Sequence, residues 1–188
     1  MHQSLRGHYL IAGNWLRDPN FYKTVVLMVE HNADGAMGLV VNRPSSVTVA
    51  HALSEHFNLP ETDDLVYVGG PVEPSALFVL HNSKELNDGE SSVLPGLYVG
   101  ANAQVFESVV RQAWEGDPDL KFRIFSGCAG WGPDQLEGEL TRGDWYHRPA
   151  TLDPLFFIDP YEVWDHMVKK VHEVHRIVRE VPVNPEWN

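Results

Sequence analysis

Thr24-Val25-Val26-Leu27-Met28-Val29, Asn32-Ala33-Asp34-Gly35 and Gly38-Leu39-Val40-Val41 follow one another with only short gaps between them. Aliphatic and β-branched side chains crowd both flanks, and the central Asp-Gly accepts the positive φ that a tight turn demands. The stretch predicts an antiparallel hairpin with strands over 24–30 and 37–42. Neither flank alternates apolar with polar residues, so both strands are expected to be buried on both faces.

Outward from the hairpin, runs bounded by Gly, Pro, Asn and Asp predict further strands near 8–12, 65–69, 76–80, 97–99, 121–126 and 155–158. Helices are expected between them. One follows Thr48, over about 49–57. A second follows Asn102, over about 103–115, with Val105, Phe106, Val109, Val110 and Ala113 at helical spacing. The third has the strongest start signal: Asp159-Pro160-Tyr161-Glu162 offers a capping Asp, a proline at the first helical position and a glutamate at the third. It is expected to run to Pro182, with Val163, Met167, Val171, Val174, Val178 and Val181 on its apolar face and Lys169, Lys170, Glu173, Arg176 and Arg179 in solvent.

The chain of 188 residues is long enough to remove roughly 70% of its unfolded surface from water. With no repeat, low-complexity stretch or dividing linker, residues 1–188 are expected to form a single domain. The formal charge of −12 disfavours nucleic acid and anionic lipid as partners. Cys128 is the only cysteine, which excludes an internal disulfide and points to a reducing cytoplasm. The run Tyr9 to Gly13 is far too short for a signal core or a membrane span, so no membrane partner is expected.

Chemistry could sit at a few places. Phe125 to Glu137 carries the densest glycines and reads as a strand, a glycine loop and a short helix from Pro133. That layout resembles phosphate sites, yet it matches neither the P-loop nor the dinucleotide pattern. Its alternative role is a glycine-enabled turn that tucks Trp131 into the core. Cys128 in that loop could be an activated thiol, but no base can be assigned to it. Gly69-Gly70-Pro71 follows a strand and is either a structural turn or a ligand rim. The ten histidines show no zinc spacing; His8, His31, His81 and His147 each border a strand, and neither a metal nor a cofactor is expected.

Taken in order, Gly7 to Ala12, Asp18 to Phe21, Thr24 to Val26, Glu30 to Asn32, Gly35 to Pro44, Gly69 to Val72 and Gly130 to Glu137 resemble the YqgE/AlgH family over residues 5 to about 168. The resemblance implies an α/β (α+β) domain in which a mixed, bifurcated β-sheet folds into a pseudo-barrel with about three packed helices. It also implies a bacterial, cytoplasmic setting. The family's label of transcriptional regulator reflects an association with alginate control, and no catalytic residues come with it. The chain departs from the usual pattern at Gly13-Asn14-Trp15, where a Met-Pro turn is common, at Cys128, where Tyr is frequent, and at Asp134, where Gly is frequent. The Cys128 departure argues against a thiol chemistry shared across the family.

The resulting expectation is a regulatory or accessory protein that binds a small ligand or a protein partner. Its ligand-binding residues would be Arg43, Asn42, His31, Gly69, Gly70 and Trp131, on loops at strand ends. Arg43 is the one cation inside a motif and would face an anionic group, a carboxylate of the protein itself being the competing partner. The alternative is a small-molecule enzyme using His31, Arg43 and Glu30.

Overall fold

The computed structural model describes residues 3–55, 63–87, 89 and 91–179, with side chains of the last helix described as far as residue 173. The elements in chain order are β1 (His8–Ala12), β2 (Val25–Asn32), β3 (Gly35–Val40), β4 (Pro44–Thr48), α1 (Val49–Ala52), β5 (Leu65–Val68), β6 (Val72–His81), β7 (Tyr98–Gly100), α2 (Ala103–Trp114), β8 (Phe122–Trp131), α3 (Gln135–Arg142), β9 (Trp145–Pro149), α4 (Asp153–Phe156) and α5 (Val163–Arg179).

The hairpin forms as β2 and β3, paired from Val26↔Val40 to Asn32↔Gly35. Gly35 takes the positive φ at its end, and Asn32 closes the turn by accepting the Asp34 N–H. Val25 to Val29 are all buried, as are Leu39, Val40 and Val41, while β3 begins half-buried at Gly35, Ala36 and Met37. From this hairpin a nine-stranded, mostly antiparallel sheet extends, seven strands in the order β4-β5-β8-β3-β2-β1-β9 and two, β6 on β8 and β7 on β6, off that path. It forks at β8. On one side β8 pairs with β6 along most of its length, from His81↔Phe122 to Val72↔Cys128. On the other it pairs first with β5, in parallel, and then with β3. The fold is therefore the mixed α/β architecture with the bifurcated sheet that the family resemblance implies, with five helices among the described residues rather than about three.

Two apolar clusters lie on the two faces of the shared strands β5, β6 and β8, because successive side chains of a strand point to opposite faces. Tyr67, Phe78, Leu80 and Phe125 face the larger cluster with β1, β2 and α5. Val66, Val79 and Ile124 face the smaller one, where α1 and α2 pack. Helix α2 is capped by Asn102, whose side chain accepts the Val105 N–H, and it buries Val105, Phe106, Val109 and Val110. Thr48 caps α1 through the His51 N–H. In α5 the buried face is Val163, Trp164, Met167, Val168 and Val171, with Lys169 and Glu173 exposed. The Asp159 carboxylate closes the preceding turn by accepting the Tyr161 N–H, so the regular helix starts four residues later than the capping Asp. Residues 56–57 of the expected first helix, Asp88, Glu90 and the chain from Glu180 onward, Val181 and Pro182 included, lie outside the described residues. The side chains of Val174, Arg176, Val178 and Arg179 do so as well.

Two expectations change, and two strands appear that the sequence reading did not expect. The glycines from Gly127 to Gly130 are not a loop: β8 runs through them to Trp131. Gly127 serves close packing, since a Cβ there would lie 2.6 Å from the Gly70 carbonyl oxygen. Residues 155–158 are not a strand. Asp153-Pro154 starts the short helix α4 instead, a position that tolerates proline's missing N–H. Two strands carry little pattern because they are edges: β4 begins with Pro44, and β9 is Trp145-Tyr146-His147-Arg148-Pro149.

The fork depends on Gly69 and Gly70. The Gly69 N–H donates to Ser126 O at 2.9 Å, on β8, while its carbonyl accepts the Val40 N–H at 2.8 Å, beside β3. A Cβ on Gly69 would sit 2.2 Å from Gly127 O, and one on Gly70 2.2 Å from the Cys128 carbonyl carbon. Both clashes are with backbone that cannot rotate away. Gly69→Ala and Gly70→Ala should therefore each destabilise the fold by roughly 3 kcal/mol or more. Urea titration checks this, with Gly96→Ala, whose Cβ meets nothing within 4 Å, expected to cost only about 1–2 kcal/mol through its positive φ.

Candidate functional site

The structure places the six expected site residues in three neighbourhoods. Asn42 and Arg43 follow β3 and hold the chain that leads into β2. Asn42 accepts the Val25 N–H and donates to Lys23 O. Arg43 donates to the carbonyls of Asn20 (2.6 Å), Pro19 (3.1 Å) and Tyr22 (3.2 Å). Its partners are carbonyls rather than a carboxylate, and burial pushes its pKa below the ordinary value while Asp18 opposes the shift. Gly69 and Gly70 lie against β8 as described above. His31 and Trp131 belong to a third neighbourhood, the seam between β8, α3 and the hairpin.

That seam accounts for the Gly-Trp-x-x-x-Gln-Leu-Glu pattern. The Gln135 side chain accepts the Gly132 N–H and donates to Glu139. Glu139 accepts the indole N–H groups of both Trp131 (2.9 Å) and Trp145 (2.8 Å) on one oxygen. Leu136 is fully buried. Glu137 lies 2.8 Å from His31 Nε2. His31 Nδ1 accepts the Leu5 N–H at 2.9 Å, which leaves Nε2–H to donate to Glu137. Both ring nitrogens are thus committed to the protein. The motif fastens strand to helix and helix to hairpin.

The other histidines separate. His8 and His147 are neighbours, with ring centroids 5.9 Å apart. His81 is fully buried and stacks on Tyr98. Neither of its ring nitrogens reaches hydrogen-bonding geometry, although the nearby Ser83 backbone mildly favours the charged ring. Among the described residues no three His, Cys, Asp or Glu side chains converge as a metal site would require. Cys128 is buried in the middle of β8, and burial, with Glu73 nearby, raises its thiol pKa. That is the opposite of an activated thiolate.

The concave surface lies elsewhere. One groove, of about 480 Å³, is bounded by the starts of β5 and β8 and by the α4–α5 turn; Tyr67, Lys121, Arg123, Phe156, Asp64 and Asp159 are among its walls. A second, of about 380 Å³, holds Lys23, Asn42, Arg43, Trp164 and Asp165. The two share Pro44, Pro160 and Tyr161, so they form a double groove with Tyr161, 77% exposed, on the ridge between them. Of the six expected residues, Asn42 and Arg43 line it; His31, Gly69, Gly70 and Trp131 do not. Lys23, on its wall, holds a strained φ of 53°. Arg123, Tyr67 and Tyr161 are the groove residues that motif reasoning missed. The signal available for them was the isolated cation pair Lys121-Phe122-Arg123 at the start of a strand otherwise apolar through Phe125.

A family model described as AlgH-like matches residues 9–175. The chain belongs to the AlgH-like family. It is 38% identical to a UPF0301 protein of Myxococcus xanthus over 83% of this chain and 84% of that one. It is 34% identical to a UPF0301 protein of Chlorobaculum tepidum over 97% and 95%. Among solved structures, the AlgH protein from Pseudomonas aeruginosa matches with a TM-score of 0.73 at 34% identity, over 97% of this chain and 98% of that one. A Corynebacterium diphtheriae protein shares the fold, with a TM-score of 0.73 at 20% identity over 90% and 88%.

Two outcomes follow for this AlgH-like chain. Glu139→Ala leaves two indole donors and Gln135 without their acceptor, so it should cost about 2–4 kcal/mol and change the tryptophan emission spectrum, with Glu139→Gln milder; denaturation followed by fluorescence checks it. His81 has its pKa lowered by burial, so below about pH 6.5 the unfolded chain binds a proton that the folded chain refuses. Stability should fall as pH drops from 7.5 to 5, and His81→Phe should flatten that loss, as thermal unfolding across the range would record.

Proposed function

We propose that this chain is a regulatory or accessory binding protein of the bacterial cytoplasm, and that the double groove around Tyr161 takes a small polar ligand. The observation that carries this reading is the groove itself. Its two halves fall in the size range of small-molecule sites, their walls mix aromatic and apolar side chains with a few charged ones, and Asn42-Arg43 of the family pattern builds part of the wall. The exposed Tyr161 ring offers a face to whatever enters.

The enzyme reading draws less support. His31, its first candidate, has both ring nitrogens engaged by Leu5 and Glu137, and Arg43 is engaged by three carbonyls. A DNA-reading role would have to overcome a formal charge of −12, and the larger groove is itself lined by Asp63, Asp64 and Asp159.

Thermal-shift screening against nucleotides, metabolites, metals and duplex DNA tests the proposal, with Tyr161→Ala run beside the parent chain. A ligand at a hundredfold over its dissociation constant should add about 2.7 kcal/mol of stability. Tyr161→Ala should melt close to the parent because the ring is exposed, yet weaken the hit about tenfold or more. Hits indifferent to Tyr161→Ala would move binding away from the groove and overturn the reading.

A further inference from the structure

Arg123 is a groove cation that the fold holds against aromatic rings while pairing few of its donors. It sits near the start of β8, half-buried, with its guanidinium carbon 4.0 Å from the centre of the Tyr67 ring and 5.9 Å from that of Phe156. One of its five N–H groups has a protein acceptor among the described residues, Nη1 donating to Val41 O at 3.1 Å. No carboxylate pairs with it within salt-bridge distance among those residues, although Asp63, Asp64 and Asp159 line the same groove. Desolvation pushes its pKa down, and the partners that oppose the shift are the tyrosines Tyr67 and Tyr9 rather than any acid. A cation withdrawn from water is ordinarily paired. Here the aromatic faces fix the guanidinium, while four N–H groups have no acceptor among the described residues and lie in a wall of a concave space.

We infer that Arg123 is the recognition residue for an oxyanion, the carboxylate or phosphate of a small ligand whose other end is rich in hydrogen-bond donors. The first half follows from the fork of a guanidinium, which matches carboxylate and phosphate oxygens two at a time. Exposed Lys121, another wall residue, adds a second positive charge. The second half follows from Asp63, Asp64 and Asp159, which repel a wholly anionic molecule and accept from donors. The Tyr67 ring contacts Arg123, and Asp64 and Asp159 line the same groove. Arg43 contrasts with Arg123: its donors are bonded to three carbonyls, which makes it a fastener for residues 19–22.

The inference rests on the ligand-binding reading of the groove, and the test separates the two. Isotope-labelled protein is titrated at constant ionic strength with sodium phosphate and, separately, with sodium acetate, while the Nε–H resonances of Arg123 and Arg43 are followed by NMR. The expected result is a saturable movement of Arg123 with at least one of the two anions, Arg43 staying in place. Movement with phosphate alone assigns a phosphorylated ligand, and with acetate alone a carboxylated one. Arg123→Met, which keeps an unbranched stem against Tyr67, should weaken that anion's binding roughly ten- to a hundredfold. If the variant does not fold, the wild-type resonance still decides. An unsaturating drift shared by both arginines overturns the oxyanion assignment. So does a screening ligand that is lost in Tyr161→Ala yet leaves Arg123 unmoved, and in that case the groove remains a binding site.

Discussion

The backbone of β8 touches the backbone of Gly69-Gly70, and the rest of the sheet is arranged around that contact. On one flank β8 keeps β6 as its partner along most of its length, while on the other it must exchange β5 for β3. An exchange of partners in mid-strand would ordinarily orphan an N–H and a C=O, at a cost of about 1–3 kcal/mol for each buried group. Gly69 removes the problem by donating to β8 and accepting from the chain of β3. Only a residue without Cβ can lie that close, so one dipeptide determines where the sheet divides.

The division also creates the groove. Tyr67 is paired with Phe125, two residues beyond Arg123, and Val68 donates to the Arg43 carbonyl, so β5 and the Asn42-Arg43-Pro44 corner are held together beside the start of β8. The α4–α5 turn closes the other side with Phe156, Asp159, Pro160 and Tyr161. Two arginines end up near one concave surface in opposite situations. Arg43 is surrounded by carbonyls that use its donors, while Arg123 is surrounded by rings that hold its plane and leave most of its donors unused.

Much of this fold was legible in the sequence because local signals agreed with the global arrangement. The hairpin announced itself through two apolar runs and an Asp-Gly, α2 through Asn102 and its apolar spacing, and α5 through Asp159-Pro160. The failures have physical causes. Gly127 to Gly130 suggested a turn because glycine frees the chain locally, but the glycines answer a long-range need, the approach of Gly70 and Val72 to β8. Leu155-Phe156-Phe157-Ile158 has the composition of a strand, yet Asp153-Pro154 just before it starts a helix. The edges β4 and β9 lacked a signal because edge strands tolerate proline and charge.

The candidate site was less legible, and the reason lies in what a motif records. Gln135, Leu136, Glu137, Glu139, Trp131 and His31 read as a dense pattern because one seam requires each of them at a fixed place: two indoles need one carboxylate, an imidazole needs a donor on one side and an acceptor on the other, and a leucine fills the space beneath. The His31 ring and the two indoles, so bonded, have no donor or acceptor left for a ligand. Tyr67, Arg123 and Tyr161 come from different segments and form no pattern along the chain; only folding puts a guanidinium against one ring and beside a groove that another ring divides. The half-buried cation is what distinguishes the two cases. The seam ties its polar groups to one another, whereas a guanidinium in a groove wall with one protein acceptor among the described residues keeps donors that a ligand in the groove can take from solvent.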